Sequence, residues 1–376
     1  MLFKNAYVFD EKNSFVYGGF TVEENRFRSV FAGDCGEDGV DLHGAYVIPG
    51  LVDIHTHGNS GADFSDGNLD GLRKMAAYLA QNGITSFAPT SMTLPYETLA
   101  AAFETAAVFH AARPENCARV MGIQMEGPFF SEKKKGAQNA AYLRLPDFEA
   151  FAKLYHVCGG LIRIVDVASE LAGAEAFTRQ ASELCTVSIA HTDSDYEHAC
   201  EVFDAGATHL THLFNAMPPV HHRNPGVIGA ASERENVVAE LICDGLHVHP
   251  SAVRMAFRLF PGRICLISDA LRCCGMPNGA YELGGQTVYL DGRIARLADG
   301  TIAGSASNLF DCLKNAIAFG IPRDEAIRAA TALPAKEIGR EKEIGSIEVG
   351  KYADFLVCTE ELELRQVYLG GQPVSD

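Results

Sequence analysis

Several features are scarce in this sequence, and their scarcity narrows the class of protein. The 376 residues contain no cysteine pair in CxxC spacing and no apolar run near the ~18 residues of a membrane span. Residues 1–15 lack the basic-then-apolar order of a secretory signal, so we expect a cytoplasmic protein that does not enter a membrane. The eleven cysteines are scattered, and without an export signal we expect them to be reduced and mostly buried.

Positive charge is also in short supply. Lysine and arginine number 31 against 48 aspartates and glutamates, which gives a net charge of −17. Nucleic acids and anionic membranes attract basic surfaces, so this balance argues against both as partners. A small anionic substrate is still compatible with it, because one local basic pocket suffices to bind such a molecule.

From residue 51 onward, short apolar runs alternate with longer stretches of helical apolar spacing. Strand–helix alternation with eight runs is typical of an α/β protein whose parallel strands form a (β/α)8 TIM-type barrel. The eight runs are Leu51–His57, Ile84–Thr90, Val120–Glu126, Leu161–Val167, Thr186–His191, Thr208–Leu213, Val238–Asp244 and Ile264–Asp269. The predicted helices are Leu69–Gln81, Tyr96–Ala112, Asp147–Tyr155, Asp193–Ala205, Ser251–Phe260 and Ser307–Phe319.

The two ends of the chain have a different pattern, with short β-like runs separated by turns. These runs lie within residues 1–50 and again over Gly345–Val357, and turn pairs within Asn278–Gly304 predict inserted hairpins. The end segments could form two separate sheets or one shared sheet. We favour one sheet, because domain termini often lie close together. The predicted domains are therefore a barrel over residues 51–338 and a small β domain from residues 1–50 and 339–376.

His55 and His57 stand at the end of the first apolar run. Their spacing places both side chains on one face of a strand, at the barrel edge where active sites lie. Imidazole pairs at this spacing suit zinc or iron, although an isolated pair of this kind also fits a surface loop.

Further ligand-type residues end other runs. Glu126, His191 and Asp269 are the last residues of three runs, and His212 lies near the end of a fourth. A barrel brings strand ends together, so these residues together predict a centre for one or two divalent ions. His209, three residues before His212, should face the other way and be a packed or hydrogen-bonded residue.

The same residues suggest a division of chemical labour. A divalent ion lowers the pKa of water that it binds, and a neighbouring carboxylate can then move a proton to a leaving group. We assign this proton transfer to Asp269, and Glu126 is expected to be a ligand or a bridge between two ions. A structural cap is the alternative for Glu126. Arg223, in a histidine-rich loop, is either simply solvated or binds an anion.

With these residues in view, the chain closely resembles the N-acetylglucosamine-6-phosphate deacetylases of the amidohydrolase superfamily. The resemblance spans nearly the whole chain, and the first and last of its motifs are general to the superfamily. The motifs are Pro49–Gly58, Glu126–Phe129, Ala190–Thr192, Thr211–Met217, Asp244–His247, Ser268–Ala270, Leu297–Ser305 and Gly345–Asp354.

The resemblance implies a barrel flanked by a small β-sandwich, usually in a homodimer. It implies that Glu126, His191 and His212 bind the principal ion, zinc more often than iron, and that Asp269 is the acid/base and an additional ligand. Because His55 and His57 are retained, a second ion is expected. The implied substrate-binding residues are Ala137, Gln138, Asn215, Ala216, Arg223, Asp244, His247, Ile302, Ala303 and Gly304.

The implied reaction converts N-acetyl-D-glucosamine 6-phosphate into D-glucosamine 6-phosphate and acetate, in amino-sugar catabolism. Arg223 is the expected phosphate partner. The family often has histidine where this chain has Gln138, which leaves the substrate preference open. The alternatives are another amidohydrolase, such as an N-acyl-amino-acid deacylase or a cyclic amidase, and a non-catalytic sugar-phosphate sensor. Loss of Asp269 or of the histidines would favour the sensor, and all of them are present.

Overall fold

The computed structural model describes residues 1–36 and 38–375. The strands, numbered in chain order, are β1 (Leu2–Phe9), β2 (Phe15–Glu23), β3 (Arg26–Ala32), β4 (Val40–Pro49), β5 (Leu51–Thr56), β6 (Gly58–Asn59), β7 (Ala62–Asp63), β8 (Ile84–Pro89), β9 (Arg119–Val120), β10 (Ile123–Met125), β11 (Ile162–Val167), β12 (Thr186–Ile189), β13 (His209–Leu210), β14 (Val238–Ile242), β15 (Ile264–Ile267), β16 (Gly279–Leu283), β17 (Gln286–Asp291), β18 (Ile294–Leu297), β19 (Ile302–Ser305), β20 (Phe355–Cys358), β21 (Leu364–Leu369) and β22 (Gln372–Pro373). The helices are α1 (Leu69–Gln81), α2 (Tyr96–Ala112), α3 (Phe148–Val157), α4 (Ala174–Ala181), α5 (Tyr196–Asp204), α6 (Gly226–Ser232), α7 (Pro250–Leu259), α8 (Leu309–Ala318), α9 (Arg323–Ala329) and α10 (Ala332–Glu337).

Parallel strands form the centre of the molecule. One sheet has the order β10-β11-β12-β13-β14-β15 and a second has the order β5-β8-β9, with parallel pairing throughout. Two parallel bridges connect these two sheets: Thr90, which follows β8, pairs with Gln124 of β10, and Thr56 of β5 pairs with Ala270, which follows β15. Each of the eight predicted runs contains a parallel strand, and the third run is split into β9 and β10.

Side chains of the parallel strands are buried on both faces, which is why these strands read as continuous apolar runs. Val238 and Ile242 of β14 pack with Ile267 of β15 in one cluster. Leu241, which precedes Ile242 and points to the other face of the strand, packs in a second cluster that includes Val253 of α7. Since all these strands run in one direction, their C-terminal ends meet at one edge, and the residues that follow each strand lie near each other.

Helix bounds follow the sequence pattern where the pattern is long. α1 and α2 have the predicted bounds, Leu69–Gln81 and Tyr96–Ala112. The Asn68 side chain accepts the backbone N–H groups of Asp70 and Gly71, which fixes the start of α1. Four helices were not predicted, because each has only six to eight residues and too few apolar positions to show a period: α4, α6, α9 and α10.

The chain termini share one seven-stranded sheet with the order β22-β21-β20-β4-β1-β2-β3. This confirms one shared sheet rather than two, since β20 pairs antiparallel with β4. The predicted strand Gly345–Val357 is wrong over most of its length, because the strand begins only at Phe355. Gly345 and Gly350 each have a φ of 91°, a left-handed conformation that an extended strand does not contain.

Aromatic rings form the core of the terminal sheet. Phe355 lies 5.1 Å from Phe3 and 4.9 Å from Phe20 between ring centroids, and its ring stacks on Tyr368 at 4.5 Å. Phe3, Phe20 and Phe355 are fully buried. Strand β20 therefore contributes a central ring to a core that side chains from both ends of the chain build together.

The predicted hairpins are confirmed as a four-stranded antiparallel sheet, β16-β17-β18-β19. Gly292-Arg293 forms the two-residue turn between β17 and β18. Leu283 of β16 and Ala303 of β19 pack against Met92 and Leu271, so this sheet lies beside the C-terminal ends of the parallel strands. The insertion can therefore line a cavity at that edge.

The predictions of reduced cysteines and of a chain without a membrane span can be compared with the structure. All eleven cysteines carry free thiols, as expected for reduced packing residues. Within residues 1–36 and 38–375, no helix is both long and apolar enough to span a membrane.

Replacing Phe355 with alanine tests the role of the C-terminal strand in the aromatic core. We expect the free energy of unfolding to fall by about 3–5 kcal/mol, because a buried aromatic ring is lost and a cavity remains. Urea denaturation measures the change, with Tyr289→Ala as the control, since Tyr289 is 52% exposed. Equal, small changes in both variants would contradict this view of the terminal sheet.

Candidate active site

The predicted metal ligands follow different parallel strands and meet at their C-terminal edge. Glu126 follows β10, His191 follows β12, His212 follows β13 and Asp269 follows β15. His191, His212 and Asp269 have φ values of 44°, 31° and 49°. Left-handed backbone is uncommon for residues other than glycine and clusters at functional sites. Here it turns each side chain from the end of its strand towards the common centre.

Glu126 is the residue around which the histidines gather. Its Oε1 atom lies 3.1 Å from Nε2 of His191 and 3.2 Å from Nε2 of His212, and the two Nε2 atoms are 3.1 Å apart. All three side chains are buried. Among residues 1–36 and 38–375, they form one of two groups whose ligand atoms lie close enough to hold one metal ion.

His55 and His57 form the second group, again with Glu126. Nε2 of His57 lies 3.4 Å from Oε2 of Glu126, and Nε2 of His55 lies 3.6 Å from Oε1. Ile54 packs with Val238 and Ile267 in one apolar cluster. Neighbouring side chains of a regular strand point to opposite faces, so His55 would then point away from the face of Ile54. A register shift between Asp53 and Thr56 interrupts that alternation. The sequence pattern indicated the shared side of the two histidines but not this irregularity.

Hydrogen bonds behind the rings indicate which nitrogen faces the centre. Nδ1 of His191 lies 2.9 Å from the carbonyl of Lys134, and Nδ1 of His57 lies 3.2 Å from the carbonyl of Thr90. A carbonyl only accepts, so both Nδ1 atoms carry hydrogen and both Nε2 lone pairs point inward. A lone pair against a carboxylate oxygen is repulsive unless a proton or a metal cation lies between them. The arrangement is typical of metal-binding histidines.

The electrostatics favour positive charge at this centre. Burial by itself lowers the pKa of His55 and of His57, but neighbouring carboxylates outweigh burial and raise both pKa values. Burial raises the pKa of Glu126, yet His191 and His212 hold it well below its ordinary value. The carboxylate is therefore ionised although it is buried. Four imidazoles with a shared carboxylate are ligands that fit zinc or a similar divalent ion.

Asp269 lies at the edge of both groups. Its Oδ1 atom is 3.3 Å from Nε2 of His57 and 3.6 Å from Nε2 of His55. Burial raises the pKa of Asp269, but its contact with His57 and the nearby ring of His55 lower it below the ordinary value. Gly304 packs against this residue, since a Cβ at position 304 would come within 2.9 Å of the Asp269 carbonyl. Asp269 is thus an ionised carboxylate that can accept a proton beside the centre.

A cavity of about 230 Å³ opens onto the centre. Most of the predicted substrate-binding residues line it: Ala137, Gln138, Asn215, Ala216, His247, Ile302, Ala303 and Gly304. The sequence interpretation missed other lining residues, namely Met92, Leu271, Leu283 and Thr301. Met92 and Leu283 carry no chemical signal in the sequence, because their apolar side chains look the same as those of the core.

Two predicted substrate residues, Arg223 and Asp244, are not among the described residues that line the cavity. Arg223 is exposed, and its guanidinium donates to Nε2 of His222 at 2.7 Å. Asp244 accepts a hydrogen bond from Nδ1 of His247 at 2.7 Å, so it orients a lining residue from behind.

Gln138 has both ends of its amide engaged. Its Oε1 atom accepts the backbone N–H of Thr93 at 2.7 Å, and its Nε2 atom donates to Oε2 of Glu126 at 2.5 Å. Gln138 therefore lines the cavity and also orients the shared carboxylate. The sequence could not indicate the second contact, because the two residues are 12 positions apart and the path of the loop between them follows no periodicity.

Glu240, in the middle of β14, was also missed. Its carboxylate is fully buried and lies 2.8 Å from Nδ1 of His55. A signal for it exists in the sequence, since a lone acid within the apolar run 238–242 is almost never buried without a partner. His209 is confirmed as a hydrogen-bonded residue rather than a ligand-group member, because its ring contacts Glu240 and Glu337.

The strand-end ligands and the cavity define a metal-dependent hydrolase, and comparison with known proteins identifies its class. The chain belongs to the amidohydrolase family, whose model matches residues 46–374. Among its relatives is the N-acetylglucosamine-6-phosphate deacetylase of Bacillus subtilis (strain 168), 38% identical over 324 residues, or 85% of this chain and 82% of the relative. The N-acetylgalactosamine-6-phosphate deacetylase of Escherichia coli O157:H7 is 34% identical over 331 residues, 88% of each chain.

Solved structures lead to the same group of enzymes. The chain is similar to a variant of the N-acetyl-D-glucosamine-6-phosphate deacetylase of Mycobacterium smegmatis, solved in complex with N-acetyl-D-glucosamine-6-phosphate. The TM-score is 0.93 at 30% identity, and the match covers 100% of this chain and 99% of the other. The terminal sheet, the parallel strands and the hairpins are therefore shared as one arrangement.

Metal removal tests the fit of the ligand groups. With free metal at 100 times its dissociation constant, we expect the free energy of unfolding to exceed that of the chelator-treated protein by about 2.7 kcal/mol, because only the folded chain assembles the ligands. Urea denaturation with and without zinc measures the difference. The control is Glu126→Gln, which removes the shared carboxylate. Equal stabilisation of this variant would show that the ion binds elsewhere.

Proposed function

We propose that the chain hydrolyses N-acetyl-D-glucosamine 6-phosphate to D-glucosamine 6-phosphate and acetate. One observation carries this conclusion: an ionised, buried Asp269 lies between a four-histidine centre and a cavity, in a chain whose relatives are amino-sugar-phosphate deacetylases. The proposed substrate is a small anion. An acidic protein can bind such a molecule, because one local basic pocket is sufficient.

The proposed architecture is a closed (β/α)8 barrel over residues 51–338 with a small β-sandwich domain from residues 1–50 and 339–376. The bridges from Thr90 to Gln124 and from Thr56 to Ala270 support closure, because they connect both edges of the six-stranded sheet to β8 and β5. The seven-stranded terminal sheet supports the second domain. A homodimer and a cytoplasmic location stay predictions from the sequence.

The residues that would hold metal are assigned to two sites that share Glu126. His191 and His212 complete the first site, and His55 and His57 complete the second, with Asp269 as a further ligand at its edge. Zinc is the proposed ion, with iron as the alternative. A divalent ion supplies Lewis acidity there, which polarises a carbonyl group and makes water more acidic.

Asp269 is the proposed proton carrier. As an ionised carboxylate it accepts a proton from the attacking water at Oδ1 or Oδ2, while a C–O bond forms at the acetyl carbon. When the C–N bond breaks, Asp269 returns this proton to the departing nitrogen, which leaves as the amine. The hydrogen bond between its backbone N–H and the carbonyl of His55, at 2.9 Å, and the one from Ser305 N–H to its carbonyl, at 2.7 Å, hold the residue in place.

The sugar and phosphate would occupy the cavity that the hairpins close. His247, oriented by Asp244, and Asn215 present polar groups to it. Arg223 stays the phosphate partner predicted from the sequence. We propose Lys135 as a second candidate for this role, because its Nζ atom lies close to the cavity and donates to the carbonyl of the lining residue Gly136 at 3.3 Å.

Acetate release from N-acetyl-D-glucosamine 6-phosphate by the zinc-loaded protein tests the reaction. The epimer N-acetylgalactosamine 6-phosphate is measured in parallel, because one relative is named as its deacetylase. We expect Asp269→Asn to lose almost all turnover, since an amide cannot carry the proton, whereas zinc content stays at one ion or more per chain. Elemental analysis provides the zinc content. No acetate from either epimer by fully loaded wild-type protein would reject the proposed function.

Comparing Arg223→Ala with Lys135→Ala tests which cation binds the phosphate. Loss of a hydrogen bond to a charged group costs about 1.5–3 kcal/mol, so the responsible variant should lose about tenfold or more in kcat/KM. Turnover of unphosphorylated N-acetylglucosamine should not change. Lys133→Ala is the matched control, because Lys133 is 79% exposed at its side chain and pairs with Asp193. If neither variant discriminates between the two substrates, both assignments fail.

A further inference from the structure

A row of buried charged side chains connects the candidate metal centre with the opposite end of the parallel strands. Glu240 of β14 has no exposed surface. Its Oε2 atom lies 2.8 Å from Nδ1 of His55, and its Oε1 atom lies 3.2 Å from Nε2 of His209. Nδ1 of His209 in turn lies 2.9 Å from Oε2 of Glu337. We call these three residues, Glu240, His209 and Glu337, the interior relay.

The interior relay ends where the strands begin. Glu337 is the last residue of α10, and its side chain is 10% exposed. It lines a surface cavity together with Thr186, Thr208 and Val238, which lie at the starts of β12, β13 and β14. His55 lies at the other end, beside the metal ligands. The relay thus spans the interior from one edge of the parallel strands to the other.

The geometry determines the charges of the relay. Both ring nitrogens of His209 face carboxylate oxygens, which accept but do not donate, so both nitrogens carry hydrogen and the ring is cationic. Burial lowers the pKa of His209, but the hydrogen bonds to Glu240 and Glu337 raise it to about 10. The cation compensates Glu240, whose charge would otherwise be costly in the interior.

An ionised Glu240 has a direct consequence for His55. The carboxylate accepts a hydrogen from Nδ1, so the Nε2 lone pair of His55 points towards Glu126 and Asp269. This Nε2 atom is buried and has no hydrogen-bond partner among the described residues. An unpartnered nitrogen aimed at two carboxylates is a ligand atom fixed in advance of the ion. The analogous nitrogen of His191 is fixed differently, by a backbone carbonyl.

We propose that Glu240, held by His209 and Glu337, is a positioning residue that sets the metal affinity of the site formed by His55, His57 and Glu126. The site formed by Glu126, His191 and His212 keeps its affinity without the relay. Glu240 also accepts the backbone N–H of His212 at 3.2 Å, but this bond holds the main chain and not the ring. This inference rests on the two-site centre of the proposed function and adds what makes its second site strong.

Glu240→Gln is the direct test. The amide oxygen can still accept from His55, but the charge is lost and His209 loses one of its two acceptors. Loss of such an outer partner typically lowers metal affinity by about 10–100-fold, and we expect this for one of two zinc ions only. Zinc titration with elemental analysis measures both affinities, and the absorption of the cobalt-substituted protein reports the geometry of each site.

Two further variants make the test independent of folding and of contact with His212. Glu337→Gln lies at the far end of the relay and touches no ligand. We expect it to lower the zinc affinity of the site formed by His55, His57 and Glu126 by about tenfold, the smaller end of the range expected for Glu240→Gln. The control is Asp166→Asn. Asp166 of β11 is another buried acid of the parallel strands, but its hydrogen bonds come from Thr211 at 3.1 Å and Gln124 at 3.3 Å, so asparagine keeps its shape and leaves the contacts of the relay intact. Both zinc affinities should stay at wild-type values in the control.

The outcomes separate this inference from the proposed function. Wild-type protein that binds two ions, with selective loss of one in Glu240→Gln or Glu337→Gln, supports the relay. Two ions bound with unchanged affinities in both variants would overturn the relay and leave the two-site centre intact. Equal weakening of both ions would assign Glu240 a general structural role and also overturn it. A wild-type protein that binds fewer than two ions would reject the two-site centre itself.

Discussion

The contact on which the rest of the site depends is the convergence of four histidine rings on one buried carboxylate. Glu126 would be costly in the interior by itself, and the histidines that surround it hold it in the ionised form. Because these histidines lie at the ends of three strands, β5, β12 and β13, the centre exists only when the strand ends meet. The left-handed turns after the strands direct the side chains towards this centre, and the hydrogens on Nδ1 fix which ring nitrogen faces it.

Charge compensation extends from this centre through the interior of the parallel strands. Glu240 faces two histidines, and His209 faces two glutamates, so imidazole and carboxylate groups alternate from His55 to Glu337. A buried ion pair seldom adds net stability, because desolvation offsets the attraction. Its benefit here is orientation, since a charged partner fixes which nitrogen of His55 is free. The same reasoning applies to Asp244, which orients His247 at the cavity.

Function depends on segments that are added to the parallel strands. The four-stranded hairpin sheet places Leu283, Ala303 and Gly304 at the cavity, and the loop after Glu126 brings Gln138 against the carboxylate. Phe130 stacks on the ring of His191 at 4.4 Å between centroids and so packs one ligand from the side. Apolar packing around the centre limits the positions that a ring can adopt, which complements the hydrogen bonds behind it.

Local patterns in the sequence were enough to predict the strand–helix alternation, the shared terminal sheet and the candidate ligands. Each depends on local periodicity or on residue type at a strand end, and α1 and α2 agree with the structure to the residue. Only the tertiary structure decided that His55 turns inward across a register shift, that Gln138 contacts Glu126 and that Glu240 lies behind His55. Glu240 and His55 are far apart in the chain, and the register shift depends on the strand beside β5. Gln138 reaches Glu126 through the path of one loop, and no local pattern encodes any of the three.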